Sequence, residues 1–224
     1  MIADNLKDVT LMISRCCEKS GRAASSVKLV CVTKEADMAQ TEEVLGLGVK
    51  DIGENRVQDA VSKYKSIGTR AEWHLIGHLQ TNKVKDAVRI FSLIHSVDSL
   101  RLAGEISKEA KKLGKNQDIL IQVNVSGEES KFGIAPEDMT GFFKEVALHP
   151  SINISGLMTI APEVDAPEKT RPYFRRLREL RDEIINLRLT TYDLQLSMGM
   201  TNDFEVAIEE GATIVRVGRA IFSV

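Results

Sequence analysis

The sequence is poor in cysteine, and the arrangement of its cysteines argues against a cross-linked or zinc-bound fold. The three cysteines are Cys16, Cys17 and Cys31, so two are adjacent and none belongs to a CxxC pair. Disulfide frameworks and structural zinc sites both require cysteines in spaced pairs. We therefore expect no disulfide framework and no metal site, and we expect a protein of the reducing cytoplasm.

The sequence also lacks an excess of charge of either sign and any long hydrophobic run. It has 30 Lys and Arg against 32 Asp and Glu, a formal net charge of −2, which does not favour a broad basic surface. No stretch reaches the ~18 apolar residues of a transmembrane helix. The first residues show no basic start followed by an apolar block, as a signal peptide would. We expect no nucleic-acid partner and no membrane partner.

A regular alternation of apolar strands and amphipathic helices fills the 224 residues. An N-terminal helix is predicted first, because apolar residues from Ile2 to Cys16 recur at helical spacing. Eight strands follow, at 27–33, 50–53, 72–79, 93–97, 119–125, 152–160, 193–199 and 213–222. Helices are predicted between them, at 38–47, 56–67, 82–89, 99–113, 136–148, 168–187 and 201–210. Strands that alternate with helices lie parallel in one sheet.

Eight strand–helix units in about 200–250 residues have the size of a closed barrel. We therefore predict an α/β fold, a single (β/α)8 TIM barrel with an extra N-terminal helix, in one domain over residues 1–224. The alternative is an open doubly wound sheet, which usually carries a glycine-rich turn after its first strand. Residues 33–36 are Thr-Lys-Glu-Ala at that point, so the barrel is favoured.

The ends of the first two predicted strands carry candidate functional groups, since parallel barrels place their sites there. Lys34 follows a run of apolar and small residues. At a barrel mouth, partial removal from water would lower the pKa of its amine and prepare it for a Schiff base. A solvated loop lysine is the simpler alternative. Asn55, after the second strand, is equally suited to line a ligand pocket or to cap the next helix.

The third and fifth strand ends are less specific. His74 and His78 are four residues apart, and we interpret each as a packed or surface histidine rather than a metal ligand. The segment 124–133 is polar and contains two glycines. It is long enough to cover the barrel mouth, and a flexible surface loop is the alternative.

The seventh and eighth strand ends carry the strongest signal. Ser197, Met198 and Gly199 end one strand, and the other exits through Gly218 and Arg219. Barrels often bind phosphate at these two loops, where glycines let backbone N–H groups approach an anion. The alternative is that both glycines only form turns.

Arg216 precedes this loop by two residues and therefore points to the same side of the strand as Gly218. A buried arginine is unfavourable unless acceptors satisfy it. Together with a nucleophilic lysine at strand one and a phosphate site at strands seven and eight, this arginine suggests pyridoxal 5′-phosphate (PLP). Arginine is a recognised partner of the PLP pyridine nitrogen.

The sequence resembles the pyridoxal phosphate homeostasis proteins of the YggS/PROSC type. Motifs in one order along nearly the whole chain carry the resemblance, at 32–34, 53–58, 73–83, 95–99, 122–125, 130–133, 156–158, 196–200 and 215–218. Each motif is weak alone, and their combination is specific.

The resemblance implies a barrel similar to the N-terminal domain of alanine racemase, with PLP held on Lys34 as a Schiff base. By motif position, Ser197 with its neighbours Met198 and Gly199, and the backbone at Gly218 and Arg219, hold the phosphate. Arg216 faces the pyridine nitrogen, and Asn55 lines the pocket. The family often has a small residue where this chain has Arg219, which preserves a backbone contact to phosphate and removes a hydroxyl contact.

The residues argue for a carrier rather than an enzyme. Racemisation needs an acid–base group on each face of the substrate, and the racemases supply the second one as a tyrosine from another domain. Tyr64 and Tyr173 fall within predicted helices, and Tyr192 precedes strand seven at the opposite rim. Arg216 stays protonated and makes the cofactor ring a weak electron sink.

We therefore predict a PLP-binding protein of intracellular PLP homeostasis without enzymatic activity. A PLP-dependent amino-acid racemase of weak activity is the alternative. A Schiff-base aldolase acting on a sugar phosphate, or an interaction protein without cofactor, is also consistent with the residues. Apo forms of PLP-dependent enzymes are candidate partners, and we expect a monomer because no long heptad repeat demands a dimer.

Overall fold

The protein is a closed barrel of parallel strands, seen in a computed structural model that describes residues 1–128 and 130–223. Within those residues the strands are β1 (Lys28–Val32), β2 (Asp51–Glu54), β3 (Glu72–Leu75), β4 (Leu93–Val97), β5 (Gln117–Gln122), β6 (Ile152–Met158), β7 (Gln195–Ser197) and β8 (Ile214–Val217). The helices are α1 (Ile2–Lys19), α2 (Met38–Gly46), α3 (Val57–Ile67), α4 (Val84–Ile90), α5 (Leu100–Lys112), α6 (Met139–Ala147), α7 (Arg171–Asn186), α8 (Phe204–Glu209) and α9 (Arg219–Phe222).

Closure of the sheet brings the first and last strands together. Each strand pairs in parallel with the next, and β1 also pairs with β8, with Cys31 opposite Val217. The predicted (β/α)8 barrel is therefore confirmed. Because both strands end within two residues of this pair, the segments that follow β1 and β8 lie side by side at the same rim.

The strands divide the core into two parts because their side chains alternate between the two faces of the sheet. The larger part lies between the sheet and the helices and contains the bulky side chains of Trp73, Phe174 and Phe204. The smaller part fills the barrel lumen and includes Val30. A Cβ atom at Gly53 would come within 2.9 Å of the Val30 side chain. The absence of a side chain at residue 53 therefore leaves room for Val30 in the lumen.

The predicted N-terminal helix is confirmed, and it packs against two of the helices that surround the barrel. Val9, Ile13 and Cys16 on its inner face are buried, and the helix contacts α8 and α9. The Asn5 side chain donates a hydrogen bond to the carbonyl of Ile221, 3.1 Å away. Among the described residues, no helix is both long enough and apolar enough to cross a membrane.

The predicted last strand, 213–222, is wrong beyond Val217. The backbone turns at Gly218, where φ is −125° and ψ is −72°, and the short helix α9 follows. The last strand pairs with β1, and β1 ends at Val32. Residues beyond Gly218 in the predicted strand therefore have no β1 residue beside them. The helix predicted from residue 201 begins at Phe204 instead, because the Asp203 carboxylate accepts the Met200 backbone N–H at 2.6 Å and holds a turn there.

Candidate functional site

A cavity of about 190 Å³ lies beside the ends of β1 and β8. Three of the predicted site residues line it, namely Lys34, Gly218 and Arg219. Phe222 of α9 also lines it. The cavity thus depends on barrel closure, since Lys34 and Gly218 are far apart in the sequence and meet only because β1 pairs with β8.

Lys34 lines this cavity and is the second residue after the end of β1. Its side chain is 42% exposed, and Nζ lies 3.4 Å from a carboxylate oxygen of Glu35. The burial on which the predicted activation of this amine rested is absent. The amine is instead accessible to a reactant that enters from solvent.

Gly218 and Arg219 present backbone rather than side-chain groups. Gly218 packs so closely on β1 that a Cβ atom there would lie 3.0 Å from the Val32 carbonyl oxygen. Arg219 begins α9, and the first N–H groups of a helix have no acceptor within the helix. The Arg219 side chain itself is exposed, so its charge is largely screened by water.

Arg216 lies inside the barrel, two residues before Gly218. It donates from Nη1 to the Ser197 hydroxyl at 2.7 Å and from Nη2 to the Thr159 carbonyl at 3.0 Å. Burial lowers the pKa of the Arg216 guanidinium to about 10, and the nearby Asp203 opposes that shift. The guanidinium therefore remains charged at neutral pH.

Ser197 is fully buried, and its hydroxyl has a second partner in the lumen. The hydroxyl oxygen lies 2.9 Å from Nδ1 of His95, whose Nε2 lies 2.9 Å from Nδ1 of His74. Burial, followed by the neighbouring His74, Arg216 and Lys28, holds the pKa of His95 well below its usual value. His95 was not singled out as a site residue from the sequence, although a polar residue inside an apolar strand was a signal that pointed to it.

Met198 and Gly199 shape the end of β7. The backbone N–H of Met198 donates to the carbonyl of Ile214 at 3.1 Å, so the sheet uses it, and the Met198 side chain is in the core. Gly199 has a φ of +92°, and a Cβ atom there would lie 2.9 Å from the Cα atom of Phe204. Glycine is thus required here both by the backbone conformation and by the close packing of α8.

Asn55 is half-buried after β2 and does not line the cavity. The alternative role as a helix cap is not observed, since Arg56 occupies the N-cap position of α3 and forms no side-chain capping bond. Its backbone lies against Gly77, where a Cβ atom would meet the Asn55 carbonyl oxygen at 2.2 Å. Asn55 therefore supports the contact between the second and third strand ends.

A buried ionic cluster that the sequence did not reveal lies directly behind Lys34. Lys63 of α3 donates to the Glu54 carboxylate at 2.8 Å and to the Thr33 carbonyl at 2.5 Å. The Thr33 hydroxyl donates to the same Glu54 oxygen at 2.6 Å. The cluster ties the residue before Lys34 to β2 and α3 and so limits the movement of the lysine backbone.

The predicted loop over 124–133 reaches across the third strand end, and Glu129 lies outside the described residues. The Phe132 ring stacks on His78 with 3.9 Å between ring centroids. His78 lies beyond the end of β3, whereas His74 is buried within it. Across the described part of the chain, no cluster of three or more His, Cys, Asp or Glu residues is arranged to hold a metal ion.

Comparisons with known proteins identify the family to which this chain belongs. The alanine racemase N-terminal domain family matches residues 14–224. A curated relative from Aquifex aeolicus, named pyridoxal phosphate homeostasis protein, is 47% identical over 223 residues, which cover 98% of this chain and 96% of the relative. The chain belongs to the pyridoxal phosphate homeostasis proteins, within the wider group of alanine racemase N-terminal domains. The resemblance stated from the sequence is confirmed.

Solved structures of other proteins show the same barrel. PipY of Synechococcus elongatus, solved with PLP bound, superposes with a TM-score of 0.86 and 33% identity, covering 100% of both chains. Alanine racemase of Clostridium difficile gives a TM-score of 0.76 at 18% identity, covering 98% of this chain and 59% of that one. The second likeness shows a shared fold only, because function depends on the site.

We expect Lys63→Met to destabilise the protein by about 3–5 kcal/mol, because it leaves the buried Glu54 carboxylate without its cation. Lys65→Met, an exposed neighbour on the same helix, should change stability by less than about 0.5 kcal/mol. Urea unfolding followed by circular dichroism measures both. Recovery of stability when Glu54→Gln is added to Lys63→Met would support the ion pair, and equal stability of the two single variants would contradict it.

Proposed function

We propose that this chain binds PLP covalently on Lys34 and acts in PLP homeostasis as a carrier, with residues 1–224 as a single PLP-binding domain. The observation that carries the proposal is the shared cavity of Lys34, Gly218 and Arg219, two residues from the buried Arg216. A primary amine suits an aldehyde, and backbone N–H groups beside a guanidinium suit a phosphate. The chemistry of the residues therefore fits PLP.

Each residue has a distinct role in this proposal. Lys34 holds the cofactor through its Nζ amine, and the backbone of Gly218 and Arg219 binds the phosphate. Arg216 has five N–H donors, of which Nη1 and Nη2 each supply one within the protein, and a remaining donor faces the pyridine nitrogen. When bound, PLP supplies an aldehyde that exchanges between amines.

The remaining predicted residues complete the wall of the site. Ser197 is buried at the end of β7, on the side proposed for the phosphate, and Met198 and Gly199 hold that strand end in place. Asn55, which does not line the cavity, follows the neighbouring strand β2, and in this proposal its amide faces the bound cofactor. The close succession of these strand ends around the barrel supports this assignment.

The absence of a second acid–base group supports a carrier rather than a racemase. Arg216 keeps its proton at neutral pH and is a poor acid. Within the described residues no tyrosine lines the cavity. Tyr64 packs on Trp73 with 5.6 Å between ring centroids, and Tyr192 bonds to Asn153 at 3.3 Å. The curated relative cited above is likewise named a homeostasis protein and not an enzyme.

The exposure of Lys34 supports a role in transfer. A lysine side chain that is 42% exposed leaves a cofactor bond within reach of a competing amine from another protein. We propose that apo forms of PLP-dependent enzymes receive PLP in this way. We further propose that the chain is a monomer and that it is cytoplasmic. The cytoplasmic location is supported by three buried, unpaired cysteines of the kind found in reducing compartments.

Lys34→Ala is expected to abolish the yellow colour of the PLP-loaded protein and its covalent labelling after borohydride reduction. The fold should remain, because the side chain is not part of the core. Lys34→Arg is the matched control, since it keeps the positive charge but has no nucleophilic amine at neutral pH. Absorbance and mass mapping of the reduced peptide report the result, and a labelled lysine elsewhere would show that the site is misplaced.

Arg216→Ala should weaken PLP binding more than Arg219→Ala. A buried, charge-assisted hydrogen bond contributes about 1.5–3 kcal/mol, which corresponds to roughly 10- to 150-fold in affinity. An exposed guanidinium contributes about 1 kcal/mol or less. Equilibrium titration with PLP gives both dissociation constants, and equal losses would discredit the role assigned to Arg216.

The PLP-loaded protein should not racemise amino acids. Incubation with L-alanine or D-alanine alone, followed by chiral chromatography, is expected to show no catalytic turnover, because only the Lys34 face carries a proton-transfer group. A racemase of the same fold serves as the positive control. Sustained conversion that disappears in Lys34→Ala would establish the weak racemase instead.

A further inference from the structure

A chain of polar side chains crosses the barrel interior between its amino-terminal rim and the strand ends. Nε2 of His74 lies 2.9 Å from a carboxylate oxygen of Asp51. The contacts continue from Nδ1 of His74 to Nε2 of His95, and from Nδ1 of His95 to the Ser197 hydroxyl, each at 2.9 Å. Arg216 completes the chain at 2.7 Å from Ser197. We call these five residues the lumen relay.

The two ends of the lumen relay have opposite hydrogen-bonding character. The Arg216 guanidinium can only donate, and an ionised Asp51 carboxylate can only accept. Lys28 keeps Asp51 ionised from the rim, since its Nζ lies 2.9 Å from the same oxygen. Burial opposes this charge, but hydrogen bonds from His74 and Lys28 hold the pKa of Asp51 below its usual value.

The two histidines between these ends are best accommodated without charge. Both are buried, and Arg216 already places one positive charge in the lumen. The Asp51 charge is already paired with Lys28 at 2.9 Å, so a positive charge on either imidazole would add to that of Arg216 and would be unfavourable. An uncharged imidazole has one donor nitrogen and one acceptor nitrogen, so the acceptor at Asp51 determines which nitrogen of each ring carries the proton.

We propose that Asp51 sets the direction of every hydrogen bond in the lumen relay. Both imidazoles carry their proton on Nε2, and the Ser197 hydroxyl donates to Nδ1 of His95 while it accepts from Arg216. Asp51 is therefore a positioning residue for the Ser197 proton, although it lies at the opposite rim of the barrel.

The lumen relay has a consequence for ligand binding that rests on the proposed function. Ser197 has a single hydroxyl proton, and the relay directs that proton inward to His95. In this state Ser197 offers only an oxygen atom to the barrel mouth. A phosphate at the mouth would gain a donor from Ser197 only if the relay were reversed.

Nitrogen-15 NMR of the PLP-free, full-length protein tests the relay directly. The chain has four histidines, and His78 and His149, which lie outside the relay, provide reference signals. At pH 7.5 we expect His74 and His95 both to show the neutral Nε2–H pattern of chemical shifts and couplings. A protonated His74, or an Nδ1–H form of either ring, would overturn the proposal without any variant.

Asp51→Ala should reverse the relay. The acceptor of His74 Nε2 is then lost, while the Lys28 ammonium that contacted the same carboxylate oxygen remains. Because an ammonium can only donate, we expect Nε2 to become an acceptor. Both histidines should then shift together to the Nδ1–H form. Asp118→Ala, which removes an exposed carboxylate from the same rim, should leave both rings unchanged. A change confined to His74, or no change in either ring, contradicts the relay.

A PLP titration of the same variants separates the relay from the proposed function. Asp51→Ala should bind PLP about 2- to 10-fold more tightly, the value of one additional hydrogen bond, because the freed Ser197 proton can reach the phosphate. Asp118→Ala should bind as the unaltered chain does. Reversed imidazoles with unchanged affinity would confirm the relay and contradict the phosphate role of Ser197, whereas unreversed imidazoles contradict the relay at any affinity.

Discussion

The inside of this barrel depends on the accommodation of one buried positive charge, the guanidinium of Arg216. Among the described residues no carboxylate forms an ion pair with it. The Thr159 carbonyl and the Ser197 hydroxyl accept its protons instead, and Asp203 is the nearby acid. A charge satisfied only by neutral acceptors keeps strong donor capacity for a ligand, which is how an interior residue becomes a binding group.

Two polar networks support the site from opposite faces of the sheet. The lumen relay holds Ser197 and Arg216 from inside the barrel, while Glu54 and Lys63 hold the residue before Lys34 from the helix side. Buried polar groups of this kind are stable only when nearly all of their hydrogen bonds are made. These contacts hold the strand ends in place, and the Lys34 side chain that follows β1 remains partly exposed.

This chain shares its barrel with alanine racemase, and the likeness shows the fold alone. Because β1 closes on β8, Lys34 lies beside Gly218 and Arg219, where we propose that the phosphate binds. A second proton-transfer group is a separate requirement, and in this chain the tyrosines lie on helices or at the far rim. The proposed role as a carrier rests on the position of these tyrosines away from the cavity lined by Lys34.

The sequence by itself determined the alternation of strands and helices, the barrel, and the placement of Lys34 after β1 and of Arg216 within β8, because hydrophobic periodicity is a local signal. Only the tertiary structure decided which polar groups meet. The contacts of Glu54 with Lys63 and of His95 with Ser197 join residues on different strands and helices, and no local pattern encodes such pairs. The same holds for the exposure of Lys34 and for the end of β8, which depend on neighbouring strands rather than on the residues themselves.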